Sequence, residues 1–295
     1  MHTPSPWYTE AGAVRAPWRA IGFAGLVLLA SGAVGAILVP VVQLTSLVEL
    51  ARVERLGIAG WWDLLAVLIA TVLAMRIFDG NRISGWGSLG LDRAALRWRC
   101  IGPGLALGAV AILLPTALLL QAGRFSIEPA AVTASWQRAL LIAGAQLIPS
   151  AFSEELLVRG YLFTAVRDGA GEQWAVAATA MIFGVMHVGN PDPSAWSIAC
   201  VTLAGIFLAV VRLQLGSLYA ATAAHLAWNL SQVSILHAPV SGLNLPTPWY
   251  QLADHGPAWL TGGSWGPEGG VGAAVGMLVA IFLLLRRPRV SADAS

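Results

Sequence analysis

The sequence contains no lysine: all 17 basic residues are arginine, set against 15 acidic ones. That near balance leaves no basic face of the kind a nucleic-acid binder needs. Charged residues of both signs make up only 11% of the 295 positions, against about 25% in a soluble globular domain. Cysteine is scarce, and Cys100 and Cys200 each lie inside an apolar stretch. A disulfide framework and a cysteine-rich zinc module are therefore excluded. No His-Glu-x-x-His occurs, so the common zinc-protease helix is missing. There is no internal repeat and no low-complexity tract. Together these absences exclude a soluble enzyme, a disordered chain and a nucleic-acid partner.

What the sequence has is apolar length. Hydrophobic residues reach 57%, mean hydropathy is +0.71, and 13 tryptophans suit interfacial anchoring. About 20 apolar residues cross a bilayer core of about 30 Å. Eight segments approach that: roughly 20–43, 57–78, 99–121, 138–166, 172–189, 195–213, 217–237 and 269–285. The expected fold is all-α, a polytopic membrane protein of about eight transmembrane helices. Residues 1–19 read as an N-terminal tail with two interfacial arginines, 20–285 as one membrane domain and 286–295 as a C-terminal tail. The first segment is too long, and lacks the cleavage site, for a signal peptide. With eight spans, twelve arginines fall on the side of the termini and four on the other, Arg159 being intramembrane. This places both termini in the cytoplasm of a multi-pass protein of the cell membrane. A short helix is expected around Asp92 to Trp98, and an irregular loop from Pro239 to Gly270.

Ionisable residues inside a span cost roughly 2.5–3.5 kcal/mol each at the helix centre, and so mark function or a buried partner. Three clusters qualify. In Glu154-Glu155-x-x-x-Arg159, Glu155 and Arg159 are four apart and can pair on one face. Glu154 is turned about 100° away and stays free for general base or acid work; all three could instead cap the span at a membrane surface. Phe183-x-x-x-His187 carries a histidine that is, taken alone, more often a packing residue. His225-x-x-x-Asn229 puts two hydrogen-bond donors on one face, and the bland reading is interhelical glue. Convergence of these spans would create a polar intramembrane cavity. Glu plus two His (Glu154, His187 and His225) is a ligand set known for catalytic zinc. The same groups also fit metal-free water activation with oxyanion stabilisation. A proton relay or transporter would use similar residues, but would call for paired broken helices related by a repeat, which the sequence lacks.

Other matches carry less. Gly262-Gly263-Ser264-Trp265-Gly266 fits Gly-x-Ser-x-Gly but lies in a Gly-rich loop rather than a strand-to-helix elbow. Gly104 and Gly108 suggest close helix packing. Asn229-Leu230-Ser231 is a sequon inside a span. His237 and His255 look peripheral, and His2 lies in the tail.

In this order, the three clusters resemble the signature of the CPBP family, the CAAX-protease and bacteriocin-processing (Abi-like) intramembrane endopeptidases. The surrounding text agrees, as in Glu154 to Phe163 (EELLVRGYLF), His187 to Pro193 (HVGNPDP) and the stretch from Gly262 to Gly270. The resemblance covers roughly residues 80–285, with the core motifs within 138–237. It implies an intramembrane endopeptidase, either a metalloprotease or a metal-free enzyme, acting on a membrane-associated protein or peptide in the lipid bilayer. It implies that Glu154 activates water with His187, and that Glu155 and Arg159, with Phe183, support the geometry. His225 and Asn229 would bind the oxyanion, or His225 a divalent metal such as zinc. Related proteins also include bacteriocin-immunity factors and scaffolds with no demonstrated protease role.

Overall fold

The computed structural model describes residues 5–9, 13–44, 55–80, 85–131, 134–245 and 248–290. His2, Arg52, Arg82 and the last five residues of the C-terminal tail lie outside these. The chain is a bundle of apolar helices: α1 (Ala16–Leu44), α2 (Arg55–Ala74, extended by a π turn at Met75–Asp79) and α3 (Trp98–Gln121). Then come α4 (Trp136–Glu155), a π segment (Leu156–Leu162) and α5 (Phe163–Ala170). They are followed by α6 (Glu172–Met186), α7 (Ala195–Gln214), α8 (Leu218–Leu230, extended by a π segment at Ser231–Leu236), the short α9 (Ala258–Thr261) and α10 (Val271–Leu285).

Helix is present at all eight expected places. Among the described residues, five helical stretches are long and apolar enough to cross a membrane: Ala16–Pro40, Ile58–Asp79, Trp98–Gln121, Trp136–Ala170 and Ala195–Gln214. Helices α6, α8 and α10 are shorter, at 15, 13 and 15 residues. The all-α membrane-protein architecture therefore stands, five of its helical stretches being long and apolar enough to cross by length and composition.

Three local expectations are corrected. Residues 92–97 form turns, with the Asp92 carboxylate accepting from the Ala95 amide at 2.8 Å, and helix begins only at Trp98. An aspartate side chain that captures a nearby amide favours a turn over a helix interior. The segment after Pro239 is not irregular throughout: β2 (Tyr250–Asp254) pairs antiparallel with β1 (Phe125–Pro129), Phe125 facing Asp254. Arg19 is not part of an exposed tail. It is buried, and its guanidinium reaches Asp79 at 3.0 Å and Asp168 at 3.3 Å.

Packing explains how the site is held. Helix α8 lies against α3 and α4, and α6 lies against α7. The Gly104/Gly108 pair works as expected for close packing. A Cβ on either glycine would collide with the backbone carbonyl of Ala220 or Ala224 on α8, so only glycine lets α3 and α8 approach this closely. Ala224 directly precedes His225. The start of α8 is set by Ser217, whose hydroxyl accepts from the Ala220 amide at 3.1 Å and donates to the Ala95 carbonyl at 2.7 Å. The start of α7 is a reciprocal Ser194/Ser197 capping box, which satisfies two otherwise orphaned amides.

Candidate active site

Helix α4 delivers the first motif where its regular hydrogen bonding gives way. From Leu156 the chain is π-helical, and Gly160 has non-helical angles (φ −84°, ψ −111°). Such interruptions are frequent at functional sites. As the four-residue spacing implies, Glu155 and Arg159 pair: Nη1 donates to Oε1 at 3.0 Å, with both side chains wholly buried. Arg159 also donates through Nη2 to the carbonyl of Gly205 on α7 at 3.0 Å. A buried ion pair needs such extra hydrogen bonds to offset the loss of water.

The second motif supplies the wall of this pair. Phe183 is buried, with the Arg159 guanidinium carbon 4.2 Å from its ring centroid. Its ring also meets those of His187 at 4.7 Å and His225 at 5.8 Å. The phenylalanine of the motif thus sits between the arginine and both histidines, which a sequence pattern alone does not reveal. His187 follows one turn later at the end of α6, where its Nδ1 contacts the Phe183 carbonyl at 2.8 Å. A carbonyl only accepts, so Nδ1 carries the proton and Nε2 keeps its lone pair when the ring is neutral.

The third motif links the two glutamates. His225 on α8 is buried, with Nδ1 3.1 Å from Glu155 Oε1 and Nε2 4.0 Å from Glu154 Oε2. Its contact with a carboxylate assigns a proton to Nδ1. Glu154 Oε2 is buried and has no hydrogen-bond partner among the described residues. A gap of 4.0 Å between polar atoms is of the size a bridging water spans. Asn229 follows one turn after His225. Glu154, His187, His225 and Asn229 all line one cavity of about 330 Å³, which also holds Phe183. Glu155 and Arg159 lie beneath it.

The cavity contains residues that the sequence reading did not single out. Asp63 of α2 lines it, and the rule that flagged Glu154, a carboxylate inside an apolar span, applies equally to Asp63. Gln146 and Ser150 of α4 and Asn190 and Ser241 from the loops add polar lining. Glu268 also lines the cavity, with its carboxylate fully engaged: Trp228 Nε1 (2.8 Å), Gln232 Nε2 (2.9 Å), and the Ser241 amide (2.7 Å) and hydroxyl (2.6 Å) all donate to it. It ties the loop after β2 to α8. His237, expected to be peripheral, is buried against Tyr250 with ring centroids 4.3 Å apart. His255 stays partly exposed beside Ser126 and Glu128.

Among the described residues, no group of three or more His, Cys, Asp or Glu side chains is arranged to hold a metal ion. Glu154, His187 and His225 therefore do not present a ready three-ligand set.

No curated protein and no solved structure matches the chain. Residues 135–231, about a third of the chain, match the family described as Rce1-like, "Type II CAAX prenyl endopeptidase Rce1-like". This segment runs from the cap of α4 to the end of α8 and holds all three motifs, so the resemblance to CAAX-processing endopeptidases is shown for the part of the chain that carries them.

Proposed function

We propose that this protein is an intramembrane endopeptidase that hydrolyses a peptide bond in a membrane-associated substrate, prenylated CAAX-type proteins being the first class to test. The observation that carries the reading is the placement of His225 between a committed carboxylate, Glu155, and an uncommitted one, Glu154, at the edge of a polar cavity. In this reading a water sits beside Glu154, oriented by the lone pair of His187 Nε2. Glu154 takes a proton as the water oxygen attacks the carbonyl carbon. The oxyanion is stabilised by the Asn229 amide and by His225 in its protonated form, which Glu155 supports. Glu154 then passes its proton to the leaving nitrogen as the C–N bond breaks. Such preorganised donors in a water-poor site are worth far more than in water. The arginine asymmetry supports both termini in the cytoplasm of the cell membrane.

The test is cleavage of a prenylated CAAX peptide by the purified protein in lipid nanodiscs, with and without a chelator. Glu154→Gln should lower kcat by roughly 10²–10⁴-fold, with an unchanged melting temperature. Asn229→Ala should lower kcat more than it raises KM, because the oxyanion exists only along the reaction path. Full cleavage by Glu154→Gln would overturn the assignment. Uncleaved peptide with every variant would favour a non-catalytic scaffold or immunity protein of the same fold.

A further inference from the structure

A second cavity lies away from the motif residues. It is a groove of about 600 Å³ between α3 and α10, closed at one end by the end of α7 and the C-terminal residues. Its length is apolar: Val110 and Leu114 of α3 face Val279 and Leu283 of α10, and all four side chains are more than half exposed. In a bilayer such a face meets acyl chains. The end of the groove differs. Arg99, in the first turn of α3, and Arg287, just beyond α10, both line it, and both are exposed. Neither guanidinium has a partner among the described residues, and no acidic residue among them lines the groove. The start of a 24-residue helix adds positive potential at the same level. Gln214 lines this end too. It is 8% exposed, and its buried Oε1 lacks a hydrogen-bond donor. Trp98, 72% exposed beside Arg99, is the residue type that marks the headgroup level of a membrane.

We infer that this groove is a binding site for an anionic phospholipid. The phosphate lies on Arg99 and Arg287, a hydroxyl or amine of the headgroup or glycerol donates to Gln214, and one acyl chain follows the α3/α10 groove. Basic pockets between transmembrane helices at a membrane interface recognise anionic headgroups in this way. The charge complementarity favours a lipid of net negative charge over a zwitterionic one. The apolar length favours a lipid over free phosphate.

Native mass spectrometry of the full-length protein tests this directly. The protein is titrated with phosphatidylglycerol or phosphatidylcholine of identical acyl chains, with inorganic phosphate as a third arm. Phosphatidylglycerol should be retained roughly ten- to thirtyfold more tightly, as two arginine contacts imply. R99Q/R287Q should bring it down to the phosphatidylcholine level, and Val279→Trp, which fills the groove, should weaken both lipids. Equal retention of the two lipids by the wild type would overturn the inference, and that comparison stands even if the double variant fails to fold. A preference that survives R99Q/R287Q, or displacement by inorganic phosphate, would overturn it as well.

Discussion

Among the described residues, Arg19 and Arg159 are buried in charged clusters, and the clusters differ in kind. Arg159 sits in mid-bundle, paired with a carboxylate one turn away on its own chain segment, and its cluster borders a polar cavity. Arg19 sits in the first turns of α1 and is held by Asp79 after α2 and Asp168 in α5, with the Tyr161 hydroxyl 3.4 Å away. The first cluster contains a histidine and an uncommitted glutamate oxygen. The second contains no histidine and joins three helix ends, with Asp168 partly exposed. A buried charge is therefore not by itself the mark of a reactive site. The mark is a proton-transfer group that faces a cavity while its own partner is already fixed.

Substitutions can sharpen or break this contrast. Arg159→Met should cost most, about 3–5 kcal/mol, because Glu155 would remain wholly buried with only His225 beside it. Thermal melting in detergent should drop steeply and cleavage should fall with it. Arg19→Met should cost less, about 2 kcal/mol, as expected for hydrogen bonds to charged groups, and kcat per folded molecule should hold. Loss of kcat in folded Arg19→Met would erase the distinction between the clusters. Gly108→Ala should cost about 1–3 kcal/mol by overpacking and should also reduce kcat, since it pushes on Ala224 beside His225. Ser194→Ala, which removes a helix cap that belongs to neither cluster, should lower stability by about 1 kcal/mol and leave kcat unchanged.

The contrast also explains what the sequence made legible. Hydropathy is a local sum, so all eight helical segments were readable. The pairing of Glu155 with Arg159 was readable because four residues make one helical turn. The Arg19 cluster unites positions 19, 79, 161 and 168, and no spacing rule connects them. Likewise, β1 and β2 pair across about 120 residues (each is five residues long), and the short alternation in Phe125-Ser126-Ile127-Glu128 does not say which distant segment it pairs with. Within the site, the residue types were legible but their partners were not. Nothing in the spacing says that His225 lies between the two glutamates while His187 turns its Nδ1 to the backbone. Those relations come from how α6 packs on α7 and on the π segment after α4, and α8 on α4 and α7, with Gly104 and Gly108 letting α3 close on α8.

The most direct measurement is detection of new peptide termini by mass spectrometry. Wild type and Glu154→Gln are each incubated in ¹⁸O-labelled water with a solubilised membrane-protein extract. The account predicts new termini with the wild type only, each new carboxylate carrying ¹⁸O. The same termini with Glu154→Gln, or none with either protein, would contradict it.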